Sequence, residues 1–308
     1  SFCNYFIAQM TKITKFKIGI CQLKVIGDKN ANISQARNLI HAAAEQGANL
    51  ILLPEMWICP YSADLFAEFA ENLNDINSSP SSLMLSEVAY SLGVTIIGGS
   101  IPERDASSGR LYNTCCVFGS NGELKAKHRK IHLFDMGKPL PGDVHFKESD
   151  SFSAGEKPTV VETDFGCIGI GICHDLRFPE LAILYRARGA HLICYPGAFN
   201  MSTGEGLWEL EQRTRQDFWQ NHTALSTVLL YVATCSPCRD SNGSYMIWGH
   251  STVVGPMGEI IGTTGHGETV LIAEIDYAKI QLTRDSFPLE NQRRNDVYRF
   301  IDLHQESP

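Results

Sequence analysis

The chain has 308 residues, 44% hydrophobic and 19% charged, which is ample for a full core. Its formal charge of −8 argues against nucleic acid and anionic membrane surfaces as partners, since both need a basic face. Ten cysteines lie scattered, mostly in apolar runs (Cys21, Cys167, Cys194), as reduced thiols do when they serve as small hydrophobes. No run nears the ~20 apolar residues of a membrane span. A soluble intracellular protein is expected, cytoplasmic, with mitochondria as the alternative. The sequons at Asn32, Asn77, Asn200, Asn221 and Asn242 are then accidental.

Residues 1–15 hold neither a long apolar core nor a small-residue cleavage site and read as a leader without fixed structure. KIGICQLKV (17–25) is short, apolar and β-branched, a buried strand. ANISQARNLIHAAAEQGA (31–48) has helical spacing, with Leu39, Ile40 and Ala43 on one face and Gly47 as its stop. NLILLPE (49–55) is a second strand, SPSSLMLSEVAYSLG (79–93) a helix and VTIIGGSIPE (94–103) a third strand. This rhythm sets an α/β class. YNTCCVFGSNGELKAKHRKIHLF (112–134) reads as two strands joined at the Asn121-Gly122 turn, the second running through 131–134.

The opening rhythm then returns. CIGIGICHD (167–175) is a strand, FPELAILYRARGA (178–190) a helix, HLICYPGAF (191–199) a strand and GLWELEQRTRQDFW (206–219) a helix. No Gly/Ser/Pro-rich linker divides the two halves, so one domain over 16–300 is expected, followed by a tail at 301–308. The closing strands fall near 228–235, 250–255 and 269–275, and 277–298 is polar and partly helical.

Three element boundaries carry reactive groups: Glu55 after LILLP, Lys130 in KHRK, and Cys173 at the end of IGIGIC. In α/β sheets ligands collect where loops converge at the carboxyl ends of strands. Each residue alone has an ordinary reading, as a cap, a solvated lysine or a packed thiol. Together they supply a base, a cation and a nucleophile, the roles that hydrolysis at an acyl carbon needs. The tetrahedral oxyanion needs donors, each worth ~3 kcal/mol or more; Lys130 and the backbone N–H of His174 are the candidates.

LPEMW (53–57), HRKIHLF (128–134) and GIGICHDLRFPE (169–180) resemble the three signature segments of the nitrilase, or carbon–nitrogen hydrolase, superfamily. IIGGSIPE, LYNTCCVFG, YPGAFNMSTG, WELEQR, YVATCSP, WGHSTVVGPMGE and PLENQRRNDVY extend the resemblance toward its omega-amidase branch, over about residues 16–300. The resemblance implies Cys173 as nucleophile, Glu55 as general base, Lys130 as oxyanion cation and Glu148 as a second glutamate. It implies an α-β-β-α sandwich pairing into a four-layer homodimer, no metal or organic cofactor, and a small-molecule amide substrate. The implied reaction releases ammonia from 2-oxoglutaramate or 2-oxosuccinamate through a thioester. Arg177 is a candidate for the substrate carboxylate, with a structural pairing to Glu180 or Asp175 as its other reading. Tyr61 and Phe199 are candidate pocket walls. The alternatives are an amidase of deaminated glutathione and a non-catalytic binding protein.

Three places depart from the family pattern. His174 stands where this branch usually has tyrosine, the loop 135–149 is longer, and QDFWQNHTALSTVLL (216–230) replaces a gap of a few residues. His128 and His132 have the spacing of a metal pair but lack a third ligand nearby. Cys235-x-x-Cys238 lacks a second half, and GCIGIGI lacks the G-x-G-x-x-G order; all three read as structural.

Overall fold

The computed structural model describes residues 13–137, 146–214, 229–239 and 245–304. Residues 1–12 of the expected leader, 138–145 of the longer loop, 216–228 of the long segment and 305–308 of the tail lie outside the described residues.

Two six-stranded sheets carry the fold. The first joins β1 (Lys15–Gln22), β2 (Leu50–Leu52), β3 (Thr95–Arg104), β4 (Leu111–Phe118), β5 (Leu124–Arg129) and β12 (Thr269–Asp276) in the order β12-β1-β2-β3-β4-β5. The second joins β6 (Thr159–Thr163), β7 (Gly166–Ile170), β8 (Leu192–Pro196), β9 (Tyr231–Cys235), β10 (Thr252–Val254) and β11 (Ile260–Thr263) in the order β11-β10-β9-β8-β7-β6. Helices α1 (Lys29–Glu45) and α3 (Pro80–Leu92) pack against the first sheet, and α4 (Pro179–Ala187) and α5 (Met201–Thr214) against the second. Phe16, Ile18, Ile20, Leu50 and Leu52 from one sheet share a core with Ile168, Ile170, Leu192 and Val232 from the other. The architecture is the expected α-β-β-α sandwich.

The halves repeat at the level of register. In the parallel pair β1–β2, Ile18 opposes Leu50 and Ile20 opposes Leu52; in β7–β8, Ile168 opposes Leu192 and Ile170 opposes Cys194. Both first strands carry a glycine between these inward residues. A Cβ on Gly19 would stand 2.9 Å from Ala43 Cβ, and one on Gly169 2.7 Å from Tyr185. Helix and sheet approach so closely there that only glycine fits.

Local chemistry explains the helix ends. The Ser79 side chain caps α3, Pro80 opens it, and Gly93 closes it at φ 65°. Asp28 caps α1 through Ala31 N–H at 3.0 Å, and Gly47 follows its end at φ 88°. Sequence periodicity overlooked three elements: β6, β11 and α2 (Ala63–Phe69). Two expectations are corrected. Residues 131–134 are not a strand, because β5 ends at Arg129 and the chain then turns under its hydrogen bonds to other loops. Cys173 is not a strand residue: β7 ends at Ile170, and Cys173 opens a 3-10 turn, Cys173–Arg177. The expected 206–219 helix begins earlier, at Met201.

Among the described residues no helix is long and apolar enough to cross a membrane. Helix α6 (Ala278–Ser286) and the segment after it lie on the surface, tied back by Arg186–Glu290 at 3.1 Å and Arg188–Asp302 at 2.7 Å.

Candidate active site

Glu55 follows β2 on a loop that a bulge in β3 accommodates. The β3–β4 register shifts between Ile97 and Ser100, and a Cβ on Gly99, at φ 63°, would stand 2.3 Å from Pro54 O. Trp57 Nε1 donates to Gly98 O at 2.8 Å and locks the loop from the other side. Met56, next to Glu55, has φ 52°, and Cys173 has φ 46°. Left-handed backbone is rare outside glycine and costs ~1–3 kcal/mol, so Cys173 and the residue after Glu55 are strained positions that the surrounding fold must hold.

Lys130 lies one residue beyond β5. Its N–H donates to Asn113 O at 2.8 Å, and its carbonyl accepts from Gly155 N–H at 2.7 Å. The fully buried ammonium meets Glu55 Oε1 at 3.0 Å and Glu148 Oε2 at 2.7 Å. Glu148 also accepts from Phe134 N–H at 2.7 Å. Asn113 completes the cluster: its Nδ2 donates to Glu55 Oε1 at 2.8 Å and to Glu148 Oε1 at 3.0 Å.

One oxygen of Glu55 is therefore doubly committed. The other, Oε2, is buried with no hydrogen-bond partner, as is Asn113 Oδ1. Buried polar atoms left unpaired are uncommon, and each calls for an explanation. The Cys173 thiol interacts with the Glu55 carboxylate, short of full hydrogen-bond geometry, and the Ala198 N–H is directed at the sulfur. Tyr245 in turn donates its hydroxyl to Ala198 O at 2.9 Å.

Charge states follow from burial against these contacts. Burial pushes the Glu55 carboxyl up, Lys130 opposes it, and Glu148 adds to it. Burial works against the Lys130 ammonium, but Glu148 and Glu55 outweigh it and hold its pKa well above the usual lysine value. Burial, then the Glu55 charge, pushes the Cys173 thiol well up, with Lys130 and the Ala198 N–H pulling the other way. The resting site is a thiol beside an ion cluster.

The turn that presents Cys173 is anchored by Asp175. Its carboxylate accepts from Ile172 N–H at 2.9 Å, from His132 N–H at 2.9 Å, and meets His132 Nδ1 at 2.7 Å and His128 Nε2 at 3.2 Å. Burial opposes this carboxylate, and the bonds from His128 and His132 outweigh it, so its pKa lies below the usual carboxylate range. The spaced histidines thus serve Asp175. Among the described residues no group of three or more His, Cys, Asp and Glu side chains is arranged to hold a metal.

Around Cys173 a cleft is lined by Phe134, His174, Arg177, Phe199 and Tyr245. Arg177 pairs through Nε with Glu211 at 3.1 Å, not with Glu180 or Asp175, and its guanidinium lies 4.7 Å from the Phe199 ring centroid. Sequence proximity misled that pairing, since Asp175 is consumed by the histidines. Tyr61 is elsewhere. It lines a separate cavity of about 90 Å³ that reaches Glu55 from the Lys24 side, and it stacks on Tyr245 at 4.5 Å. Tyr245 borders both spaces.

The structure thus gathers Glu55, Lys130, Glu148 and Cys173, with His174, Arg177 and Phe199 on the cleft. Asn113 and Tyr245 are not among the sequence-based candidates, and Asp175 entered only as a possible partner of Arg177. A fully buried asparagine inside the apolar strand LYNTCCVF was the available signal for Asn113.

The sequence pattern of the carbon–nitrogen hydrolase family matches residues 17–285. The chain belongs to the carbon–nitrogen hydrolase family. Among its relatives in this family is "Omega-amidase, chloroplastic" of Arabidopsis thaliana, 58% identical over 95% of this chain and 76% of that protein. "Omega-amidase NIT2" of Homo sapiens is 44% identical over 93% of this chain and 98% of that protein. The solved structure of Nit3 from Saccharomyces cerevisiae, a member of branch 10 of the nitrilase superfamily, matches with a TM-score of 0.82 at 38% identity, covering 91% of this chain and 97% of that one.

Proposed function

We propose that this carbon–nitrogen hydrolase is an omega-amidase, releasing ammonia from the terminal amide of 2-oxo dicarboxylic acid monoamides such as 2-oxoglutaramate and 2-oxosuccinamate. The observation that carries the reading is the Glu55–Lys130–Glu148 cluster beside the Cys173 thiol. The omega-amidase names of the relatives support the amidase activity.

In this mechanism Cys173 attacks the amide carbon while Glu55 Oε2 takes the thiol proton. A buried thiol with a raised pKa needs such a base at the moment of attack. The oxyanion is met by Lys130: an ammonium has three N–H donors, and two are committed to Glu55 and Glu148. The second donor is the His174 N–H, in the first turn of a 3-10 segment where N–H groups have no acceptor within the turn. The C–N bond breaks, Glu55 passes its proton to the leaving ammonia, and a thioester stays on Cys173. Water gives a proton to Glu55 and attacks the thioester; the acid leaves, and the proton returns to sulfur. Arg177 and Phe199 hold the substrate's carboxylate end, and Tyr61 shapes the Glu55 side.

The reading includes one catalytic domain over 16–300, a homodimer and a cytoplasmic location. The Arabidopsis relative's chloroplastic name stands against the last, and fluorescence of the full chain fused to a reporter in cells decides it. The function itself is tested by ammonia release from 2-oxoglutaramate by the purified protein beside Cys173→Ala. Turnover lost in the variant supports it, and folded wild-type protein without turnover overturns it.

A further inference from the structure

The ring of His174, the residue after Cys173, borders the Cys173 cleft beside Arg177. The two side chains touch: Arg177 Nη1 lies 3.4 Å from His174 Nδ1. A guanidinium only donates, so Nδ1 is the acceptor. Burial first, then the Arg177 and Lys130 charges, pushes the ring's pKa down to about 3, which keeps it neutral. A neutral imidazole that accepts at Nδ1 carries its one proton on Nε2. No described residue pairs with that N–H.

The ring is also held in orientation. Phe134 lies 5.3 Å away, tilted, and Phe178 meets it edge-on at 5.4 Å. Arg177 is fixed by Glu211 through Nε and by Phe199 beneath the guanidinium, which leaves N–H groups of both terminal nitrogens for a ligand. The cleft therefore presents two adjacent, oriented donors of different kinds: a cationic fork and a neutral N–H. A 2-oxo acid carries two adjacent acceptors of matching kinds, a carboxylate and the keto oxygen on the next carbon.

We propose that His174 is a specificity-determining residue whose Nε2–H donates to the 2-oxo oxygen of the substrate while Arg177 holds the neighbouring carboxylate. This rests on the amidase reading and names what the same site selects. A donor built for one substrate oxygen discriminates against the analogue that lacks it, because the N–H is then left unpaired in a desolvated cleft.

The test compares kcat/KM for 2-oxoglutaramate and for glutaric acid monoamide, which has no 2-oxo group. His174→Phe keeps a ring and removes the donor; it lowers the ratio of the two constants by roughly tenfold or more. His174→Gln returns an N–H donor and keeps most of the ratio. A ratio unchanged in His174→Phe, or as low in His174→Gln as in His174→Phe, overturns the proposal. Wild-type protein that turns over neither amide sinks the amidase reading itself, whereas turnover of both with an insensitive ratio sinks only the role of His174. Calorimetric binding of 2-oxoglutarate and glutarate to wild type and His174→Phe needs no turnover. An affinity gap that closes in the variant supports the assignment, and one that persists overturns it.

Discussion

The side-chain amide of Asn113 donates to Glu55 Oε1 across 2.8 Å, and the same nitrogen reaches Glu148. Asn113 thereby holds one carboxylate oxygen, Oε1, while Oε2 stays buried without a partner. Because burial already raises the Glu55 pKa, loss of a donor raises it further. The base works as a carboxylate, so activity falls as pH drops through that raised value. Asn113→Ala is expected to shift the acid limb of the kcat/KM profile upward and to cost roughly 10–100-fold at neutral pH, the worth of a hydrogen bond to a buried charge. An unshifted limb would make Asn113 a packing residue.

Lys130 compensates two buried carboxylates at once. Lys130→Met removes the compensation, and breaking a buried ion cluster from one side costs about 3–5 kcal/mol. The variant should unfold at lower denaturant concentration and show no turnover. Glu148→Gln keeps one carboxylate against the ammonium, so its stability loss should be the smaller of the two. Urea titrations of both variants read this order, and the reverse order would contradict the cluster's charge assignment.

Glu55 and Cys173 were legible as candidates because each stands where an apolar run turns polar, and Lys130 because its segment resembles that of a known family. Helix α3 was legible from its own caps, Ser79, Pro80 and Gly93. Long-range pairings were not. Arg177 finds Glu211, 34 positions away on helix α5, and nothing in either local segment points to the other. Asn113 lies in a mostly apolar run, which says only that it is buried. Residues 131–134 look like a strand by composition, yet Asp175 draws their backbone aside through His132 N–H. Tertiary hydrogen bonds decided these positions, and composition does not record them.

Cys173 shares its raised thiol pKa with Cys21, Cys59, Cys115, Cys116, Cys194, Cys235 and Cys238, all pushed up by burial. A low resting pKa therefore does not distinguish it. What does is a cleft and a neighbouring carboxylate, Glu55. Iodoacetamide at neutral pH is expected to modify Cys173 first, and Glu55→Gln to slow that modification about tenfold or more, general-base assistance being worth at least that much. Mass mapping of the modified peptides follows both. Equal labelling in wild type and Glu55→Gln would remove Glu55 from the role of base.

Asp175 ties the two halves of the candidate site together, since it binds Ile172 beside Cys173, and His128 and His132 on either side of Lys130. Its folded pKa is depressed below the ordinary carboxylate value. Such a group stabilises the fold above its unfolded pKa, near 3.9, and the contribution drains away as pH falls through that value toward the folded one. Asp175→Asn is expected to destabilise the protein by about 1.5–3 kcal/mol at neutral pH, the worth of a hydrogen bond to a charged acceptor, and to lower kcat because the Cys173 turn loses its anchor. The stability gap between wild type and variant should stay constant from pH 7 to pH 5 and narrow below about pH 4. Urea denaturation across that range measures the gap, and a gap that does not narrow would mean that the Asp175 charge is not what the histidines and backbone donors hold.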